Sequence, residues 1–359
     1  MSQPTLSQLQ TVYLDPHTDA LVILDQTQLP LRTVYQSLTD QNDIRQAIYR
    51  LQVRGAPAIG VAAAIGIYLA AKGFQADTYD AFYRQFRAAK ANLASARPTA
   101  VNLQWALDRM ERVVQVHAAC PLPSIISALK QEALRIQQED ADVCRSIGEN
   151  GLSLLHDGDG ILTHCNAGQL AATRYGTALA PIHLGHERGY RFHVYADETR
   201  PLLQGARLTA YELQANGIPV TLLCDNMASQ VMKNGWVQAV LVGCDRVAAN
   251  GDCCNKIGTS GVAILARHYG IPFYVCAPTS TIDFSLSHGN QIPIEQRPPE
   301  EVTSLWYQHP MAPQGIDVYN PAFDVTEHDL VSAIITEYGV ARPPYTQSLA
   351  QLAEARPRR

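Results

Sequence analysis

The hydrophobic rhythm of the chain changes once. Up to about residue 155, apolar residues recur mostly at helical spacing. From Asp159 onward, short continuous apolar runs alternate with helical stretches. In the first part, Ala20–Leu24 (ALVIL) and Leu31–Tyr35 read as short strands joined by a turn over 25–30. Thr39 or Asp40 suits the cap of a helix with Ile44, Ala47, Ile48 and Leu51 on one face. VRGAPAIGVAAAIGIYLAA follows, with Gly55 freeing the backbone and Pro57 suited to a first helical turn. This helix is small and apolar all round, so it is expected to be buried. Its N-terminus, next to Arg54, offers backbone N–H groups to an anion. Further helices are predicted over Thr78–Leu93, Val101–Val116 and about Pro123–Leu155.

In the second part GILTHC, RFHVYA, IPVTLL, VQAVLVG and IPFYVCA read as buried parallel strands separated by helices, one of them GTSGVAILARHYG. The expected fold is therefore α/β: a Rossmann-like parallel-sheet C-terminal domain preceded by a mainly helical N-terminal domain with a small antiparallel sheet. AACPLPS suggests a division into 1–122 and 123–359, with the long helix of about 123–155 as the link. Leu286–Tyr319, which holds several prolines, reads as a long loop, and Thr326–Tyr338 as one late helix.

In an open α/β sheet, ligands bind at the carboxyl ends of the strands, and there the sequence collects its reactive groups. THCNAG delivers His164, Cys165 and Asn166 to one strand end. ADETRPLLQG places Glu198, Arg200 and Gln204 at the start of the next helix, with Thr199, Pro201 and Leu202 as its opening. DNMAS ends another strand, with Asp225 as a plausible N-cap. The richest stretch is GCDRVAANGDCCNKIGT (243–259), a polar loop holding Asp245, Arg246, Asn250, Asp252, Asn255 and Lys256.

Composition narrows the chemistry. A net charge of −5 argues against a nucleic-acid partner. The N-terminus lacks signal-peptide character and the longest apolar run, 56–71, is too short to span a membrane, so a cytoplasmic protein with no membrane association is expected. The basic residues from Arg356 onward read as a tail. Eight cysteines fall outside zinc spacing, and no dinucleotide fingerprint, Walker loop or Ser-His-Asp order is present, so no metal and no cofactor are expected. Arginines beside helix starts imply a phosphorylated ligand. A thiol and a carboxylate without a cofactor motif imply proton transfer.

VRGAPAIGVAAA, ARPTAVNLQWAL, THCNAG, ADETRPLLQGARLTAYEL, DNMAS and NKIGT, in this order between Val12 and Asp283, resemble the methylthioribose-1-phosphate isomerase family. That family is related to the regulatory α, β and δ subunits of the translation-initiation guanine-exchange factor. The resemblance implies isomerisation of 5-methylthioribose 1-phosphate, an aldose, to 5-methylthioribulose 1-phosphate, a ketose, in methionine salvage. It implies Cys165 and Asp245 as the catalytic pair. Arg54, Gly55, Ala56, Arg97, Gln204, Asn255 and Lys256 would hold the sugar phosphate, in a homodimer. Cys244 and the Cys253–Cys254 pair stand where Ala or Val is expected in relatives. Two other readings are an isomerase of ribose 1,5-bisphosphate, which needs a further cationic subsite, and a non-catalytic regulatory subunit, which need not keep the thiol and the carboxylate.

Overall fold

A small, apolar helix lies at the centre of the N-terminal core. The computed structural model describes residues 10–98 and 100–354, so the basic tail lies outside the described residues. Two compact units emerge: residues 1–145 with 168–176, and residues 146–167 with 177–359. In the first unit, β1 (Val12–Asp15), β2 (Ala20–Leu24) and β3 (Tyr35–Leu38) form an antiparallel sheet in that order. The strand expected at Leu31–Tyr35 instead begins at Tyr35. The Asp25 carboxylate takes the Thr27 N–H and hydroxyl and the Gln36 and Gln52 amides, and Arg32 N–H bonds back to Gln28. These bonds lengthen the turn and leave Leu31 exposed.

The Asp40 side chain caps α1 (Gln41–Tyr49), a helix that buries Ile44, Ala47 and Ile48. Helix α2 (Ala56–Lys72) is buried along nearly its whole length, because its alanines and glycines let neighbours come close. Gly60 meets the Asn102 carbonyl and Gly66 meets Ile44. Helices α3 (Tyr79–Ala94), α4 (Val101–Val116) and α5 (Leu122–Leu152) complete the helical part, close to their predicted bounds. Arg109 on α4 pairs with Glu132 and Glu139 of α5.

The second unit is built on β4 (Gly160–Thr163), α6 (Ala180–Glu187), β5 (His193–Asp197), α7 (Ala210–Ala215), β6 (Val220–Leu223), α8 (Ala228–Lys233) and β7 (Ala239–Val242). There follow β8 (Arg246–Ala248), β9 (Cys253–Lys256), α9 (Thr259–Tyr269), β10 (Phe273–Cys276), β11 (Ile282–Asp283) and α10 (Glu300–Thr303). The chain closes with β12 (Phe323–Thr326), β13 (Ala333–Thr336), β14 (Gly339–Ala341) and α11 (Tyr345–Glu354). Among the described residues the main sheet has the order β14-β13-β10-β7-β4-β5-β6, parallel except for the edge pair β13–β14. The five predicted parallel strands all lie in it, and β4, β7 and β10 are buried throughout, as continuous apolar runs require.

The late helix predicted over Thr326–Tyr338 is absent. Ala333–Thr336 runs parallel to β10, with Ala333 opposite Tyr274. A strand buried on both faces shows no alternation, and a short apolar run of that kind mimics helical spacing. A smaller sheet, β11-β8-β9-β12, stands apart from the main one. Among the described residues no helix is long and apolar enough to cross a membrane.

Candidate active site

Strands β4 and β7 are neighbours, with Leu162 opposite Val240. The chain leaves them in opposite directions, from β4 toward β5 on one side and from β7 toward β10 on the other. This is the topological switch point, where an open α/β sheet forms a crevice beyond its strand ends. Cys165 follows β4 and Asp245 follows β7, so the sequence-predicted pair lies just beyond the ends of the two strands that flank it. The two loops touch: a Cβ on Gly243 would come 2.5 Å from the Cβ of Ala167.

Cys165 has φ of 67°, in the left-handed region that non-glycine residues seldom occupy. Two threonine hydroxyls hold it there. The Cys165 N–H donates to Thr199 Oγ1 at 2.8 Å, and Thr209 Oγ1 donates to the Cys165 carbonyl at 2.7 Å. Thr199 and Leu203 are themselves left-handed, at 64° and 56°. Each such residue costs about 1–3 kcal/mol and persists only where the surroundings over-determine it. Here Asp225 does so, accepting the Thr199 and Arg200 N–H groups at 2.7 Å each. Asp225 was expected to cap the helix that follows it; its carboxylate instead reaches across to this turn. Residues 199–203 do not open a helix as predicted. The helix begins at Gln204 and continues as a π-turn over Gly205–Thr209, a form often found at functional sites. Gly205 is required there, because a Cβ would lie 1.6 Å from the Asp197 carbonyl oxygen. Gln204 is buried, and its amide oxygen has no hydrogen-bond partner among the described residues.

The expected polar loop at 243–259 is largely an antiparallel hairpin of β8 and β9. Asp245, half-buried, opens it and donates its N–H to the Cys254 carbonyl at 2.9 Å. Burial first, and then the negative charge of Asp245, push the Cys254 thiol up. Burial, Cys253 and Asp245 together do the same to Cys244. Cys244 and Cys254 are thus neutral, compact side chains. Asn255 is buried and donates to Thr259 Oγ1, while Lys256 Nζ donates to the Ala322 carbonyl and sits 4.5 Å from the centroid of the Phe323 ring. Asp252 is occupied structurally, by Gly289 N–H and His328.

Behind Cys165, His164 Nδ1 lies 2.9 Å from Asp197 Oδ2 and its Nε2 2.8 Å from the Ile257 carbonyl. Asn166 donates to Thr209 Oγ1 and to Glu212, which also meets His183. Among the described residues His164, Asp197 and Asp225 form the one acid and imidazole group whose ligand atoms converge, within 4.8 Å of one another. Most of their ligand atoms are already engaged: both His164 nitrogens and both Asp225 oxygens are in hydrogen bonds, and only Asp197 Oδ1 has no partner among the described residues. The group is a hydrogen-bonded network rather than an open cation cage.

Cys165, Gln204, Asp245, Asn255 and Lys256 all lie in the second unit. Arg54, Gly55, Ala56 and Arg97 lie in the first. There Gly55, with φ of 94°, is the N-cap of α2 without any side-chain cap, so the helix start is open to an anion. Gly55 packs on Ala171, where a Cβ would come within 2.4 Å. Arg97 lines a recess of about 250 Å³ with Ala94, Ser95, Pro98, Leu103 and Gln104. Sequence reasoning missed the supporting residues Thr199, Thr209 and Asp324, and gave His164 no role. A threonine next to a strand-end carboxylate run was the available signal for Thr199. No local signal marked Asp324, which binds Gly258 and Ser260 from a distant strand.

A family model described as Initiation factor 2 subunit family matches residues 52–343. A protein of Symbiobacterium thermophilum named methylthioribose-1-phosphate isomerase is 66% identical over 345 residues, covering 96% of each chain. A Moorella thermoacetica protein named 5-deoxyribose 1-phosphate isomerase is 56% identical over 330 residues, covering 92% of this chain and 94% of its own. The crystal structure of 5-methylthioribose 1-phosphate isomerase from Pyrococcus horikoshii OT3 superposes with a TM-score of 0.90 at 43% identity, covering 97% of this chain and 96% of that one.

Proposed function

The chain belongs to the Initiation factor 2 subunit family, and within it we propose an aldose–ketose isomerase that converts 5-methylthioribose 1-phosphate to 5-methylthioribulose 1-phosphate in methionine salvage. The observation that carries this reading is the likeness to the Symbiobacterium isomerase over nearly the full length of both chains. The switch-point placement of a thiol and a carboxylate supports it.

The phosphate sits on the anomeric carbon, so the ring cannot open as a free hemiacetal. In this reading Asp245 protonates the ring oxygen and the C1–O bond breaks, leaving a phosphorylated oxocarbenium carbon. Cys165 then takes the C2 proton to give an enediol, and a proton returns at C1 while the C2 hydroxyl loses its own to become the ketone. The alternative is direct hydride movement from C2 to C1, with Cys165 steadying the charge. Deuterium from solvent at C1 of the product would select the proton route. The acid role needs the Asp245 carboxyl held above its ordinary range.

Substrate holding is assigned to Arg54, Gly55, Ala56, Arg97, Gln204, Asn255 and Lys256. The open helix start at Gly55 suits a phosphate. The unpartnered Gln204 oxygen suits a sugar hydroxyl. The working form in this reading is a cytoplasmic homodimer, which sedimentation of the pure protein would check. The Moorella name favours a second substrate that differs only at C5, where hydrogen replaces the methylthio group. Turnover of both sugar phosphates by the pure protein tests the reading. A kcat/KM higher for the methylthio sugar supports it, a higher value for the deoxy sugar transfers the assignment to that substrate, and no turnover of either overturns it.

A further inference from the structure

His164 precedes Cys165 and is 1% exposed, and its partner Asp197 is fully buried. Both ring nitrogens face acceptors, Asp197 Oδ2 and the Ile257 carbonyl. A neutral imidazole carries one N–H. The Ile257 carbonyl can only accept, so that proton sits on Nε2. The short Nδ1–Oδ2 contact then requires a second proton, on the ring or on the carboxyl. A neutral ring beside a carboxylate would set two lone pairs against each other.

The surroundings point the same way. Asp197, at the end of β5, and Asp225, after β6, converge on this ring within 4.8 Å, and the charge of Asp324 on β12 is felt by it as well. Glu198 adds its charge to Asp197. Burial opposes a charged ring, but the hydrogen bond and charge of Asp197, with the charge of Asp225, outweigh it and raise His164 above its ordinary range. Burial lifts Asp197 to about 6 in spite of His164. Asp197 Oδ1 has no hydrogen-bond partner among the described residues, so nothing but the ring compensates that carboxyl. Gly258 closes over the ring, where a Cβ would come 2.8 Å from Cε1 and Nε2.

We propose that His164 is a positioning residue for Cys165: a buried imidazolium that ties the end of β4 to the Ile257–Gly258 turn and whose positive charge eases ionisation of the adjoining thiol. The role given to that thiol rests on the isomerase reading above; the geometry of the pair does not. An imidazolium beside a cysteine lowers the thiol's pKa, and its loss would leave the carboxyl groups of Asp197 and Asp225, which converge on the ring, without that positive charge. His164→Gln keeps a donor toward Ile257 and His164→Asn keeps one toward Asp197. Both are neutral, so each retains one tether and discards the charge.

The test needs no turnover, which separates its failure from failure of the isomerase assignment. Peptide-resolved alkylation by iodoacetamide is followed from pH 6 to pH 10 on the full chain, with the exposed Cys120 as internal reference. In either folded variant the Cys165 rate at pH 7 is expected to fall about tenfold, while its rate at pH 10 and the Cys120 profile stay unchanged. A Cys165 profile that does not move in a folded variant, even one of lowered Tm, would overturn the proposal and leave His164 a structural residue only.

Discussion

Thr199→Val removes one hydroxyl from the clamp on Cys165 and changes little else. Valine matches threonine in shape, and Thr199 is fully buried, so no cavity forms. Two hydrogen bonds are lost: the one accepted from the Cys165 N–H at 2.8 Å and the one donated to the Asp197 carbonyl at 3.1 Å. Leaving the Cys165 N–H unpaired costs about 1–3 kcal/mol and losing the second bond about 1 kcal/mol, so the variant should be destabilised by roughly 2–4 kcal/mol. The larger effect should fall on catalysis. Without its clamp, Cys165 has no reason to stay left-handed, and a displacement of about 1 Å costs on the order of 10²-fold in rate. Thr199→Ser restores the hydroxyl without the branch and should recover activity to within about fivefold of wild type. The assay is kcat for 5-methylthioribose 1-phosphate beside a thermal melt of each variant. A folded Thr199→Val protein with wild-type kcat, or a serine variant as impaired as the valine one, would refute the clamp.

Gly205→Ala should fold poorly or not at all, since its Cβ would meet backbone at 1.6 Å; soluble yield and Tm report this. Gly261→Ala, on α9 with open space around it, should instead raise stability by about 0.5–1 kcal/mol, and any fall in Tm would count against the helix as described. Asp140, whose carboxyl accepts the Thr173 N–H and hydroxyl, is held up at about 6 by burial. The native state therefore binds more protons than the unfolded state between about pH 4 and pH 6, and stability falls as pH rises through that window. The Tm of Asp140→Asn relative to wild type should rise from pH 4 to pH 6 and then level off, and a difference independent of pH would contradict the burial argument.

The parallel strands were legible because each is a short apolar run bounded by turn residues, and α2 because only a buried helix tolerates so many small apolar residues in succession. β13 was misread for the same reason that β4 was read correctly: a strand covered on both faces carries no period, and length alone separates it from helix. The Leu31–Tyr35 error arose in Asp25: its bonds to Thr27 make a local turn, but those to Gln36 and Gln52 come from farther along the chain and leave no local mark. The strand-end loops declared their reactive residues through composition. What fixes those residues was hidden, since Thr199, Asp225 and Asp324 act across strands and no spacing along the chain records the distance. The hairpin inside 243–259 was masked by its polar residues, because Asn255, opposite Asp324 on β12, and Asp252, held by Gly289 and His328, are buried rather than solvated.

The central claim is that Cys165 and Asp245, just beyond the ends of the two strands of the switch point, carry out the chemistry. Its most direct test is the kcat of pure Cys165→Ser and Asp245→Asn, each confirmed folded by its melt, on 5-methylthioribose 1-phosphate. Each is predicted to lose at least ~10²-fold relative to wild type. Near-wild-type turnover by either folded variant would contradict the account.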